Sequence, residues 1–257
     1  MRLSFISLCA ILFTTACSTE ITTDYEGFEV HENVKKIRFF NHDNVQNAEV
    51  AFSKKGQLLY NKQGHELTEY EYDKNDLLIR MRMFDDNILV SKRQYFYENK
   101  KLIEIKQFSK NNSFLKSIKY QYDLAGNIVK SSLLTPYNKL EYVWEYEYDA
   151  HNFKRMETHT SHTIQFKKRM QYTTNENGKV ELIQEFDDYD ELFRERYFTL
   201  YNSIALETKR YNYWVDEVSD SVLISYEFDV RGNWVRKEIQ SYPGKLVTVS
   251  REITYYN

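Results

Sequence analysis

The sequence has few prolines and glycines, which interrupt regular secondary structure, and few cysteines, which could cross-link the chain. Its 257 residues include two cysteines, two prolines and seven glycines. Both cysteines, Cys9 and Cys17, lie near the start, so no disulfide can join distant parts of the chain. Burial and backbone pairing must therefore hold the fold together, and a chain of this length can bury a sizeable core.

The sequence also lacks an excess of one charge and long apolar runs. It has 35 Lys and Arg against 38 Asp and Glu, a formal net charge of −3. This balance gives no electrostatic reason to expect nucleic-acid binding. Beyond the first 16 residues, no segment is apolar enough for a membrane-spanning helix. Tyr (22) and Phe (16) are abundant and alternate with polar residues, which favours β-strands.

A repeat organises most of the chain. Its eight copies begin at Val50, Tyr70, Tyr95, Tyr120, Tyr146, Tyr172, Thr199 and Tyr226, at intervals of 20 to 27 residues. The clearest copy reads YQYDLAGNI from Tyr120. Its two aromatic residues, spaced by two, lie on one face of a strand, and the Asp that follows suits the first position of a tight turn.

The repeat predicts a type I turn followed by a residue in the left-handed conformation. Three residues after the Asp position stand Gly56, Asp76, Lys101, Gly126, Asn152, Gly178, Ala205 and Gly232. Gly, Asn and Asp tolerate a positive φ best. The candidate turn residues are Asp73, Asp123, Gly126, Asn127, Asp149, Gly178, Asp229 and Gly232. Pro136 and Pro243 fall in the second connection of their periods, where they remove no ladder hydrogen bond.

The predicted fold class is all-β. We expect an antiparallel meander of about eight β-hairpins, twisted and curled into a roll or partial barrel. A single domain would cover residues 28–257, with residues 28–40 as a lead-in strand. Its aromatic side should face inward and Lys, Glu and Gln outward. A free edge strand could pair with a partner protein.

Few residues suggest chemistry, and we predict no catalytic residue, metal site or cofactor. The sequence HTSH at 159–162 should lie in a connection between strands. The acidic stretch 185–191 is expected to be a polar turn rather than a calcium loop. Trp144, Trp214 and Trp234 are the candidates for stacking on a sugar ring.

The first residues resemble a bacterial lipoprotein signal peptide. An apolar segment, residues 3–13, precedes Thr14-Thr15-Ala16-Cys17, with Thr14 where an aliphatic residue is usual. The resemblance implies cleavage after residue 16 and a lipid, with acyl chains such as palmitate, on Cys17. Residues 17–27 would form a tether, and Ser18 implies the outer membrane if the source is Gram-negative. The alternative is ordinary secretion after Ala16.

The repeat resembles the YD repeat of RHS and teneurin-like proteins. Tyr120, Tyr122, Asp123, Gly126 and Asn127 match its Y-x-Y-D-x-x-G-N pattern in full. The interval is longer than in the large RHS proteins, and eight copies are too few to build a shell around cargo. The better match is therefore to small bacterial lipoproteins with degenerate YD-type repeats.

These features predict a membrane-anchored, non-catalytic lipoprotein of the cell envelope that binds a protein partner or acts as a scaffold. An alternative is a glycan- or peptidoglycan-binding lipoprotein that uses exposed aromatic side chains. An envelope hydrolase is the third class. No nucleic-acid partner is expected.

Overall fold

The computed structural model describes residues 28, 30, 33–201, 204–212, 217–219, 222–241 and 245–257. Side chains are described for residues 28, 30, 33–198, 225–240 and 246–257. The predicted signal peptide, Cys17 and the predicted tether lie outside these ranges, as do Trp214 and Pro243.

The described chain is built of β-strands. They are β1 Val34–Phe40, β2 Gln46–Phe52, β3 Leu58–Gln63, β4 Glu66–Tyr72, β5 Leu78–Asp85, β6 Ile88–Glu98, β7 Lys101–Ser109, β8 Phe114–Tyr122, β9 Ile128–Leu134, β10 Leu140–Tyr148, β11 Lys154–Ser161, β12 Phe166–Thr174, β13 Val180–Phe186, β14 Leu192–Tyr201, β15 Ile204–Asn212, β16 Glu217–Ser219, β17 Val222–Phe228, β18 Trp234–Ser241 and β19 Lys245–Tyr255. No helix in the described part of the chain is long and apolar enough to cross a membrane.

The strands form one antiparallel meander sheet. Each strand from β1 to β15 pairs with the next, β15 pairs with β16, and β17 pairs with β18, which pairs with β19. The series of paired strands thus begins at β17, continues through β19, β1 and β15, and ends at β16. Only two residues separate β16 from β17 in the sequence, so these two end strands lie within about 11 Å of each other. The sheet must therefore curl, and the predicted all-β hairpin roll is confirmed.

The first and last strands are neighbours. Strand β1 pairs on one side with β2 and on the other with β19, where Ile37 lies opposite Ile253. The predicted lead-in strand is therefore present as β1, but neither β1 nor β19 is a free edge, and the expectation of a free edge was wrong for these strands. The repeat in the sequence indicates pairing only between strands that are neighbours along the chain. The pairing of β1 with β19 joins residues more than 200 positions apart.

A hydrophobic core secures this junction. Val34, Ile37, Val50 and Phe52 are almost fully buried, and the ring of Phe28 meets that of Phe52 edge-on with 5.5 Å between centroids. Full burial of each such side chain contributes about 1.5–3 kcal/mol. The core thus ties the first described residues to the hairpin of β2 and β3.

The turns between repeat strands follow a common geometry. In the turn of residues 123–127, the Gly126 amide donates to the Asp123 carbonyl at 3.2 Å, and the Asp123 amide donates to the Asn127 carbonyl at 3.0 Å. Positive φ occurs at the expected position in six copies, namely Gly56, Asp76, Gly126, Asn152, Gly178 and Gly232.

Two copies depart from this geometry. In the copy that starts at Tyr95, a two-residue turn puts positive φ on Asn99 and Lys100, so Lys101 begins β7. In the copy that starts at Thr199, Tyr201 pairs directly with Ile204, and Ala205 lies within β15. The first of these copies therefore has a two-residue turn with positive φ at both positions in place of the bulged turn of the other copies.

Candidate interaction surfaces

Alternate connections of a meander lie at the same edge, so the turns form two rims. The Asp-turn rim comprises the hairpin turns 53–57, 73–77, 99–100, 123–127, 149–153, 175–179 and 229–233. The connection rim comprises 41–45, 64–66, 85–88, 110–113, 135–139, 162–166 and 187–191. Most of the strands between the rims have seven to nine residues, which span about 25–30 Å along the strand.

Exposed apolar side chains project from five of the seven described turns of the connection rim, all except 64–66 and 110–113. They include Val45 (57% exposed), Ile88 (63%), Tyr137 (91%), Ile164 (67%) and Tyr189 (84%). On the Asp-turn rim, Leu124 and Val230 are fully exposed at the tips of their turns. Single exposed apolar residues are ordinary, but a row of them along one edge is typical of an interaction surface.

The two rims also differ in charge. The connection rim holds eight Asp and Glu and two Lys, whereas the Asp-turn rim holds six acidic and six basic residues. Four of the connection-rim acids, Asp187, Asp188, Asp190 and Glu191, lie in a single turn with Tyr189. The connection rim therefore carries both exposed apolar side chains and an excess of negative charge.

Both ends of the described chain lie at the Asp-turn rim. Strand β1 runs from this rim toward the connection rim, and Phe28 packs on Phe52 immediately before the 53–57 turn. At the other end, the Tyr256 hydroxyl donates to the Phe52 carbonyl at 2.6 Å. The connection rim is thus the edge farther from the first described residues.

The candidate Asp residues act as backbone caps within the Asp-turn rim. Asp123 Oδ1 accepts the Asn127 amide at 2.8 Å, and its Oδ2 accepts Asn127 Nδ2 at 3.0 Å. Asp73, Asp149 and Asp229 accept the equivalent amides two and four residues on. The amides of Phe153 and His151 lower the pKa of Asp149, because they stabilise the ionised carboxylate. These contacts fix each turn internally.

Four tyrosine hydroxyl hydrogen bonds each link a hairpin to the one before it. The hydroxyls of Tyr72, Tyr97, Tyr122 and Tyr148 donate to the carbonyls of Leu58, Leu78, Leu102 and Ile128, over 2.7–3.0 Å. Sequence reasoning assigned these tyrosines to packing and missed the bond. The signal was the preference for Tyr over Phe at the position before the Asp.

The aromatic face of the sheet, which carries Tyr120, Tyr146 and Tyr172, also carries buried charge. Glu157 lies opposite Tyr146 in the β10–β11 register and is 8% exposed. Its carboxylate accepts Lys154 Nζ at 2.7 Å and the Tyr172 hydroxyl at 2.8 Å, and it contacts His159. Burial opposes ionisation, but the bonds from His159 and Lys154 outweigh it and lower the pKa of Glu157 to about 2.

Glu185 is the second buried carboxylate of the aromatic face. It is 2% exposed, lies opposite Arg194 in the β13–β14 register and contacts Lys168. Arg196 Nε and Arg194 Nη1 lie 3.0 and 3.6 Å from its oxygens. The prediction that Glu and Lys point outward was wrong here, because cations from adjacent strands compensate the buried charge.

The opposite face carries exposed charge pairs between β4 and β5, as expected, although Glu195 is buried on it. Glu69 pairs with Arg82 at 3.1 Å and Glu71 with Arg80 at 2.8 Å, each across β4 and β5. All four side chains are more than one-third exposed, so these pairs contribute little to stability. A shallow depression beside them, lined by Glu49, Tyr60 and Lys62 among others, is likewise filled with paired charges.

The tryptophans differ in their surroundings. Trp234 is 6% exposed, and the Arg251 guanidinium lies 3.7 Å from its ring centroid, so its proposed role in sugar stacking is wrong. Trp144 is partly exposed on the aromatic face, stacked on Tyr142 with 5.9 Å between centroids. Trp214 lies outside the described residues.

The sequence HTSH does not form a loop as a whole. His159, Thr160 and Ser161 belong to β11, and the turn begins at His162, whose amide donates to the Glu141 carbonyl at 2.8 Å. Among the residues that the structure describes, no group of three His, Cys, Asp or Glu could share a metal ion. In the acidic 187–191 turn, Asp187 caps the amides of Tyr189 and Glu191 at 2.9 and 3.0 Å.

Comparison with known proteins gives similarity in structure only. No protein-family profile and no curated protein matches the chain. Among solved structures it is similar to TcdB2-TccC3 without its hypervariable C-terminal region, with a TM-score of 0.40 and 13% identity, over 82% of this chain and 14% of that one. It is also similar to a porin-like protein from Bacteroides uniformis, with a TM-score of 0.34 and 11% identity, over 86% of this chain and 96% of that one. A porin-like protein from Bacteroides vulgatus gives a TM-score of 0.33 and 11% identity, over 87% and 98% of the two chains.

Proposed function

We propose that this protein is a membrane-anchored, non-catalytic module of the cell envelope that binds another protein. The observation that carries the proposal is the row of exposed apolar side chains on the connection rim. Covering such a row by a partner is favourable, because binding removes the exposed apolar side chains from water. The buried Glu157 and Glu185 serve the fold, since each is paired with cations.

The anchor rests on the resemblance of the first residues to a lipoprotein signal peptide. Lipid on Cys17, followed by the 17–27 tether, would hold the Asp-turn rim toward the membrane, because the first described residues pack there. The connection rim would then face away from the bilayer, where a partner protein can reach it. In a Gram-negative source, Ser18 favours the outer membrane.

The anchor is tested by replacing each cysteine in turn. Cys17→Ser should abolish incorporation of labelled palmitate and release the protein from the membrane fraction. Cys9→Ser, the control within the predicted signal peptide, should keep both. Retention of label by Cys17→Ser would exclude lipidation at this residue.

Protein binding is tested by in-cell cross-linking of the full chain, followed by mass spectrometry. The double variant Ile164→Asp, Tyr189→Asp removes apolar surface from the connection rim. The control, Leu124→Asp with Val230→Asp, changes equally exposed tips on the Asp-turn rim. We expect a dominant envelope partner that only the first variant loses. Equal recovery with both variants would refute binding through the connection rim.

The second candidate is a glycan-binding lipoprotein, which the partly exposed Tyr142–Trp144 stack favours. Paired aromatic rings can offer a flat apolar face to a sugar. Quenching of tryptophan fluorescence by peptidoglycan oligosaccharides, lost in Trp144→Leu and kept in Ile164→Asp, Tyr189→Asp, would support this function over protein binding.

A further inference from the structure

Three adjacent turns of the connection rim present apolar side chains at a regular interval. Tyr137, Ile164 and Tyr189 belong to the β9–β10, β11–β12 and β13–β14 turns, and each turn is two strands from the next. Strands pair at about 4.8 Å, so neighbouring turns are about 9.6 Å apart. The three tips therefore span about 19 Å of the rim.

We propose that the partner docks a basic amphipathic helix along these three turns, an assignment that rests on the proposed protein-binding function. Seven residues of an α-helix rise about 10.5 Å, so side chains on one helix face recur at nearly the interval of the turns. An extended strand repeats a face every two residues, about 6.8 Å, and does not match this interval.

The charge of these turns favours a helix of positive charge. The 187–191 turn carries four carboxylates around Tyr189, while the 135–139 turn contributes Lys139 and the 162–166 turn has no Lys or Arg. Lys or Arg flanking the apolar stripe of the helix would meet this negative surface. An anionic bilayer would be repelled by it, so a membrane is a poorer occupant.

The turn that presents Tyr189 is already ordered by its own contacts. Asp187 caps two amides, Asp190 accepts Arg169 Nε at 2.9 Å, and Asp188 accepts the Lys167 amide. Binding therefore need not order this turn, which lowers the entropic cost of docking. Glu191 and Asp188 are both exposed on this turn.

The experiment measures binding of fluorescent 21-residue peptides to the purified full-length protein by anisotropy. The first peptide places Leu at helical spacing on a Lys-rich background. The second has the same composition with Leu at every second position, and the third replaces Lys by Glu. Anionic phosphatidylglycerol vesicles are tested in parallel. The protein variants are Ile164→Ser with Tyr189→Ser, Asp188→Asn with Glu191→Gln, and Leu124→Ser with Val230→Ser as the control.

We expect the first peptide to bind at least tenfold more tightly than the other two. Each of the first two variants should weaken it at least fivefold, and the control variant should not. Equal binding of the period-two peptide, equal binding of the Glu peptide, or no binding below millimolar concentration would overturn the proposal. Vesicle binding that depends on the same residues would assign the rim to a membrane instead. Failure here with retained cross-linking in cells would leave protein binding intact and remove only the helix.

Discussion

The hydroxyl of Tyr122 donates a hydrogen bond of 2.7 Å to the carbonyl of Leu102, a residue of the preceding hairpin. Leu102 lies near the start of β7, and Tyr122 ends β8, the next strand of the sheet. Three other tyrosines repeat the relationship. The bond therefore ties each hairpin to its predecessor at the Asp-turn rim, next to the turn that fixes the hairpin internally.

Removing this hydroxyl should destabilise the fold. We expect Tyr122→Phe to lower the free energy of unfolding by about 1–2 kcal/mol, because the ring stays packed while a carbonyl loses its donor. Urea denaturation followed by circular dichroism measures the change. Tyr137→Phe, at a 91% exposed position, is the control and should change stability by less than about 0.5 kcal/mol. Equal effects of the two substitutions would contradict a role for the bond.

Gly178 should be sensitive to a methyl group for two reasons. Its φ is +73°, and a Cβ added there would lie less than 3 Å from three atoms of the Phe153 ring in the neighbouring turn. Gly64 has a similar φ of +59° and open space around a Cβ. Gly178→Ala should cost about 2–4 kcal/mol and Gly64→Ala about 1 kcal/mol. Thermal melts of both variants measure the difference, and similar losses would show that the Phe153 contact is relieved without cost.

Acid should weaken the fold through Glu157. Its pKa is about 2 in the folded state, below the usual 4.5, so the folded state favours the ionised form. This contribution is present above about pH 4.5 and is lost as the pH falls toward 2. Glu157→Gln should lower the free energy of unfolding at pH 7 by about 2–3 kcal/mol, and the difference from wild type should shrink at pH 3. A difference that stays constant between pH 7 and 3 would show that Glu157 is not the acid-sensitive group.

Arg251 should not be replaceable by Lys. The buried guanidinium covers the ring of Trp234, and its Nη1 donates to the Phe28 carbonyl at 2.7 Å. A Lys ammonium cannot make both planar contacts. Arg251→Lys should cost about 2–4 kcal/mol in chemical denaturation. Arg38→Lys, which changes a half-exposed guanidinium paired with Glu49, is the matched control and should cost less than about 1 kcal/mol.

The amino-acid sequence by itself determined the hairpins and their turns. The alternation of Tyr with polar residues fixes strand and face over two residues, and Asp, Gly and Asn fix a turn within five. These effects act between residues close in the chain, so they can be predicted from one amino-acid sequence. The two exceptions have Lys101 and Ala205 where the other six copies have Gly, Asn or Asp, the residues that tolerate a positive φ best.

Only the tertiary structure decided which strands and side chains meet across the sheet. The pairing of β1 with β19, the cover of Arg251 over Trp234 and the burial of Glu157 and Glu185 depend on residues from different strands. The row of Tyr137, Ile164 and Tyr189 exists because alternate connections of a meander share an edge. Their spacing of 27 and 25 residues follows the repeat interval, but only the pairing of successive hairpins places the three turns side by side.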